Sequence, residues 1–180
     1  EIAERGYLFG HEMVMGSYIL IYLAKLTKAR LVVLHVGIMK EEAYDLFRQA
    51  RASGIDVYTE VECIPLFMTP ERDERMGIYN LGFKGFRDKE AGWNFINDGS
   101  ADICVIEHAP HAKKDVEPAK TSVWDAHTGP LGAQELLPLL LTAVNEQKLT
   151  LHKLVEVTSE RAAKIFGLYP QKGAIQNGSD

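Results

Sequence analysis

Apolar and polar positions alternate along the chain in two ways, one typical of buried strands and one typical of amphipathic helices. Three short runs rich in apolar residues predict strands: "ARLVVLHVG", "IDVYTEVE" and "ADICVIE". After the first run, "KEEAYDLFRQARASG" places apolar residues on one helical stripe and reaches a helix-ending glycine at Gly54. Before the third run, "KEAGWNFINDG" predicts a shorter helix that ends at Gly99. This alternation predicts a parallel α/β fold in which the three strands are neighbours, each followed by a helix packed on the outside.

The remaining segments predict a loop and two further helices. The stretch "MTPERDERMGIYNLGFKGFRD" is predicted to be a long loop. The stretches "LGAQELLPLLLTAVNEQ" and "LHKLVEVTSERAAKIFGL" predict helices, and the second helix is expected to break near Thr158 and Ser159. The apolar stretch "MVMGSYILIYLAKL" is too short to span a bilayer and is interrupted at Lys25, so no membrane association is expected.

Composition and charge narrow the class of protein. The net charge is −5 at pH 7 and the isoelectric point is about 5.7, with no lysine or arginine cluster, which argues against a nucleic-acid partner. Two cysteines, Cys63 and Cys104, occur without a C-x-x-C spacing. This usage favours a reducing, cytoplasmic location over a disulfide scaffold.

Candidate chemistry lies at the ends of the predicted strands. In parallel α/β proteins the carboxyl ends of the strands carry the functional residues. The polar residues at or just after these ends are His35, Glu60, Glu62, Glu107, His108 and His111. Taken alone, Glu60 and Glu62 are expected to be solvated or paired with a lysine or arginine. Imidazole and carboxylate groups together form a ligand set for a divalent ion such as zinc, although the same residues could contact substrate or only cap a loop.

The segment "EHAPH" resembles the D-H-A-P-H signature of the cyclic amidohydrolases, the family of dihydroorotase, hydantoinase and allantoinase. Longer stretches resemble this family in the same order along the chain. They are "LHVGIMKEEAYDLFRQARASGIDVYTEV", "DKEAGWNFINDGSADICVIEHAPH" and the final segment from "LGAQELLPLLLTAVNEQ" to "GSD". Together they cover most of residues 20–180.

The resemblance implies a fold, a reaction and a cofactor. Residues 1–170 are expected to form the C-terminal part of a (β/α)₈ barrel of the metal-dependent amidohydrolase superfamily, and residues 171–180 the start of a link to a small β-sandwich. The implied reaction is hydrolysis of a C–N bond in a cyclic amide, with one or two metal ions, usually zinc. The implied partners are a small cyclic amide and either a second copy of the chain or the remainder of the barrel.

The resemblance also implies roles for individual residues. His35 stands at the position of a metal ligand, and Glu107 stands where the family has an aspartate that binds metal and transfers the proton. His111 and Asn80 stand at positions that contact substrate.

Two departures from the family pattern leave alternatives open. The family's H-x-H pair, its bridging lysine and a further histidine are not identifiable here, so most metal ligands are expected from a preceding segment. Glu107 is one methylene longer than the family's aspartate, which displaces the acid by roughly 1 Å. The chain therefore predicts an amidohydrolase seen in part. The alternatives are a lapsed homologue retained as an assembly partner and an unrelated α/β binding module.

Overall fold

Three short parallel strands form the centre of the structure, a computed structural model that describes residues 2–36, 41–68, 89–122, 125, 127 and 129–180. The strands are β1 (Leu31–Val33), β2 (Val57–Glu62) and β3 (Ile103–Val105), in the order β1-β2-β3. Both pairs are parallel, with Leu31 opposite Val57 and Glu60 opposite Ile103. The predicted parallel arrangement is confirmed, and it brings the carboxyl ends of the three strands to one edge of the sheet.

The helices surround this sheet. They are α1 (Ile2–Thr27), α2 (Glu41–Ala52), α3 (Cys63–Phe67), α4 (Lys89–Asn97), α5 (Lys113–Val116), α6 (Leu136–Asn145), α7 (Leu151–Val155) and α8 (Arg161–Ile165). A 3₁₀ turn spans Glu117–Lys120. Helices α2, α4 and α6 match the predicted segments, and the glycines after α2 and α4 have positive φ angles of 79° and 82°. Residues 69–88 of the predicted loop lie outside the described residues.

The predicted break near Thr158 and Ser159 coincides with an interruption of the α-helix, which stops at Val155 and resumes at Arg161. Helix α7 continues through a π-helical segment, Glu156–Glu160, directly into α8. The Thr158 hydroxyl donates a 2.7 Å hydrogen bond to the carbonyl of Leu154 four residues earlier. The side chain that could compete with the helix therefore satisfies one of its carbonyls, and the backbone widens instead of ending.

Strand β2 lies at the centre of the core. Its interior side chains Thr59 and Val61 are fully buried, as are Phe47 on α2, Phe95 on α4 and Leu140 on α6. The sheet thus has helices packed against it, which gives its middle strand little contact with solvent.

A buried ion-pair network fixes the edge of the sheet opposite to the strands' carboxyl ends. The Asp102 carboxylate precedes β3, is almost fully buried, and pairs with the guanidinium groups of Arg51 and Arg161. It also accepts a 2.9 Å hydrogen bond from the backbone N–H of Thr59. Because an unpaired charge at this depth would be costly, the network locks α2, β2, β3 and α8 into one register.

Helix α1 has no counterpart among the predicted elements, because apolar residues lie all round it. A narrow stripe of Val14, Ile21 and Ala24 is buried. The side chains Tyr18, Ile19, Tyr22 and Leu26, among others, are exposed. Even so, none of the helices in the described residues has the length and apolar character required to cross a bilayer.

Candidate metal and active site

His35 and Glu107 occupy equivalent positions at the carboxyl edge of the sheet. Each lies two residues after a strand, β1 and β3 respectively. Both have left-handed backbone conformations, with φ angles of 59° and 55°. Residues other than glycine seldom adopt this backbone conformation, because it costs free energy. Those that do are concentrated at functional sites. The two strand ends therefore turn in the same way and present an imidazole and a carboxylate to each other.

The two side chains meet at a distance that suits a shared ion better than a direct hydrogen bond. His35 Nε2 lies 3.6 Å from Glu107 Oε2, which is beyond hydrogen-bond length. Two ligand atoms that each lie 2.1 Å from a tetrahedral ion are about 3.4 Å apart. Both side chains remain partly open to solvent, His35 at 38% and Glu107 at 29%, so a small molecule can reach them.

The ends of β2 contribute two further carboxylates. Glu60 and Glu62 are buried, with 8% and 0% of their surface exposed, so the expectation that they are solvated is wrong. The reason is that β2 is the middle strand and helices cover it. Glu62 Oε1 lies 3.6 Å from His35 Nδ1, on the side of the ring away from Glu107. A small approach of this carboxylate would let it accept a hydrogen bond from Nδ1–H, which would leave Nε2 free to bind a metal.

Glu60 completes a group of three potential ligands. One ligand atom from each of His35, Glu60 and Glu107 lies within 4.8 Å of the other two, the one such group found among the described residues. Burial, together with the neighbouring carboxylate of Glu107, raises the pKa of Glu60 to about 7. The backbone N–H of His35 donates a hydrogen bond to Glu60 and has the opposite, smaller effect.

The sequence analysis assigned Glu60 no metal-binding or catalytic role, although its place in a predicted buried strand was unusual for a glutamate. A middle strand of a parallel sheet is expected to be apolar on both faces. Two glutamates within such a strand are therefore anomalous, because charged residues are seldom fully buried unless they are paired or bind a cation.

His108 faces a neighbouring loop. Its Nδ1 atom accepts hydrogen bonds from the backbone N–H groups of Gly132 and Ala133, at 3.0 and 3.1 Å. The Ala109 N–H donates to the carbonyl of Pro130 at 3.0 Å. A side chain at Gly132 would collide with Ile106, so the glycine permits this close approach. His108 thus fastens the segment that carries Glu107.

Of the two predicted substrate contacts, only His111 lies within the described residues. The His111 ring lies against the ring of His127, with centroids 5.1 Å apart, in the loops that follow β3. Asn80 lies outside the described residues.

The described residues fit a divalent metal ion. One imidazole and two carboxylates are ligands that such ions take in proteins. The Glu60 Oε1 atom is buried and has no hydrogen-bond partner among the described residues, which is the condition that a bound cation would relieve.

Known proteins with similar sequences are cyclic amide hydrolases. An L-hydantoinase from Paenarthrobacter aurescens is 39% identical over 162 residues, which are 88% of this chain and 35% of that protein. A dihydroorotase from Methanosphaera stadtmanae is 30% identical over 157 residues, 87% of this chain and 35% of that protein. No protein-family model matches the chain.

A solved structure gives the same result. The L-hydantoinase (dihydropyrimidinase) from Arthrobacter aurescens superposes with a TM-score of 0.83 at 36% identity, covering 93% of this chain and 38% of that one. The chain belongs to the cyclic amidohydrolase family, whose members are metal-dependent. Its α/β fold is a portion of a (β/α)₈ barrel of the amidohydrolase superfamily, as predicted. The chain spans about a third of the length of the curated relatives it matches.

Proposed function

We propose that the protein carrying this chain hydrolyses a C–N bond in a cyclic amide and uses a divalent metal ion held at the carboxyl edge of the sheet. The observation that carries this proposal is the convergence of His35 Nε2 and Glu107 Oε2 at 3.6 Å, in a partly open cluster. Zinc is the ion we propose, because an imidazole ligand suits it. His35 and Glu107 would bind it, and further ligands would come from a preceding segment.

The residues of this chain would divide the chemistry between them. A metal ion held by these residues would lower the pKa of a water molecule and polarise the amide carbonyl. Glu107 would take the proton from the attacking water and pass it to the ring nitrogen as the C–N bond breaks. Glu62 would keep His35 in the tautomer that presents Nε2. His111 and Asn80 would orient the ring through hydrogen bonds.

The substrate class we propose is the hydantoins and related cyclic imides. The support is the 39% identity with an L-hydantoinase, compared with 30% for the dihydroorotase. The enzymatic names of these relatives do not favour the alternative of a lapsed assembly partner. We further propose that residues 1–170 belong to the barrel and residues 171–180 lead to the β-sandwich. The exposed apolar face of α1 would be covered by another part of the protein or by a second copy.

The test is hydrolysis of a 5-substituted hydantoin by the intact protein and its Glu107 variants, each checked for metal content. Glu107→Gln keeps the shape but cannot carry the proton, so kcat is expected to fall by about 10²–10⁴-fold. Glu107→Asp restores the shorter acid of the family and should keep or raise kcat. The exposed Glu146 offers a control, and Glu146→Gln should leave kcat unchanged. Equal rates for wild type and metal-loaded Glu107→Gln would refute the proposed role.

A further inference from the structure

Glu60 has properties that a structural role in the sheet does not explain. Its side chain lies at the carboxyl end of the middle strand and is 92% buried (8% exposed). Its Oε1 atom has no hydrogen-bond partner among the described residues. A buried carboxylate oxygen that makes no hydrogen bond costs free energy, so a group outside the described residues is expected to satisfy it.

The position of Glu60 indicates where the partner of its carboxylate would lie. Its ligand atom and those of His35 and Glu107 all lie within 4.8 Å of one another. The ligand atoms around a tetrahedral ion are separated by about 3.4 Å, so each separation needs to shorten by at most about 1.4 Å to enclose one. Rotation of a glutamate side chain covers such a distance without moving the backbone.

The charges of these side chains also favour a bound cation. Two carboxylates, Glu60 and Glu107, face one another, and among the described residues no lysine or arginine forms an ion pair with either. Like charges at short range repel strongly when they are shielded from water. A divalent cation between them would replace this repulsion by attraction to both.

We propose that Glu60 is a metal ligand, so that this chain alone supplies His35, Glu60 and Glu107 to one divalent ion. The inference rests on the proposed function, which assigns only His35 and Glu107 to the metal. Two carboxylates in the set would also make the site receptive to Mn²⁺.

A competing explanation makes a distinct prediction. Glu60 could instead stay protonated and donate a hydrogen bond to Glu107, with no contact to metal. In that case Glu60→Gln would mimic the neutral acid, since its amide group can donate the same hydrogen bond. Metal affinity would then be unchanged or stronger in the Gln variant.

The experiment measures Zn²⁺ and Mn²⁺ affinity of the intact protein by competition with a chromophoric chelator. For a ligand, the affinity should decrease in the order wild type, Glu60→Asp, Glu60→Gln, because Asp keeps the charge but has a shorter reach. The loss in Glu60→Gln should exceed the roughly 10–100-fold that removal of an outer-shell partner costs. The visible spectrum of bound Co²⁺ should also change in Glu60→Gln, and Glu146→Gln should match wild type in both measurements.

The outcomes separate this inference from the proposed function. If wild type binds metal and Glu60→Gln binds it equally well with the same Co²⁺ spectrum, the ligand role of Glu60 is wrong, while the proposed function stands. An affinity order in which Gln equals or exceeds Asp also overturns it. If wild type takes up no metal, both proposals fail together.

Discussion

Two carboxylates of the site are packed against each other, one buried and one partly open. Glu60 lies beside Glu107, and burial together with this neighbouring charge raises the pKa of Glu60 from 4.5 to about 7. Without a cation, Glu60 therefore holds its proton at pH values where an unfolded chain would release it. This single residue couples the stability of the metal-free protein to pH.

The metal-free intact protein should lose stability as the pH rises from about 4.5 through 7. In this window the folded state binds a proton that the unfolded state has released, so each increase in pH favours unfolding. The full effect is roughly 3 kcal/mol, from 1.36 kcal/mol for each pH unit between the two pKa values. Urea unfolding with chelator at several pH values measures it.

Glu60→Gln provides the comparison, because it fixes the neutral form in both states. The variant should lack this part of the pH dependence, so the difference between it and wild type should grow between about pH 4.5 and 7. Glu146→Gln should retain the wild-type profile. Parallel profiles for wild type and Glu60→Gln would show that Glu60 does not carry the effect.

Among the elements, α1 stands out because it buries only a narrow stripe. The buried side chains are Val14, Ile21 and Ala24. The exposed fraction is 60% for Tyr18, 61% for Tyr22 and 60% for Leu26. Exposed apolar surface of this kind marks a contact with another protein surface. In a chain that matches about a third of its relatives' length, the rest of the barrel and a second copy are both natural partners.

Residues 1–180 expressed alone should therefore self-associate. Sedimentation velocity at micromolar concentration should show species larger than a monomer. The double variant Tyr22→Lys and Leu26→Lys places charge on the exposed face, and it should shift the population towards monomer. Ile175 is fully exposed outside α1, so Ile175→Lys is the matched control and should leave association unchanged. A wild-type chain that sediments as a monomer at all concentrations would contradict this account of α1.

Across the whole molecule, local sequence patterns predicted the helices and strands that follow from the spacing of apolar residues. They did not predict the features that depend on contacts between distant parts of the chain. The three strands and helices α2, α4 and α6 follow from apolar spacing and from the glycines that end α2 and α4. Helix α1 has apolar residues all round, so no stripe reveals it. The spacing indicated an interruption near Thr158 but could not show that the chain stays helical there as a π-helical segment.

The residues of the candidate site also differ in how far the sequence could predict them. His35 and Glu107 could be selected from the sequence because both follow predicted strands and both match family motifs. The burial of Glu60 could not be predicted with the same ease, because it depends on β2 being the middle strand. The Asp102 network also depends on contacts between residues about 50 positions apart, such as Arg51 and Asp102.

Metal removal tests the central claim, that this edge of the sheet belongs to a metal-dependent cyclic amide hydrolase. The intact protein would be stripped with chelator, its residual metal measured, and its rate on a 5-substituted hydantoin compared before and after zinc is restored. Because a metal ion contributes several kcal/mol to such a reaction, stripping should lower the rate by at least about 100-fold, and zinc should restore it. Undiminished hydrolysis by protein shown to be metal-free would contradict the account.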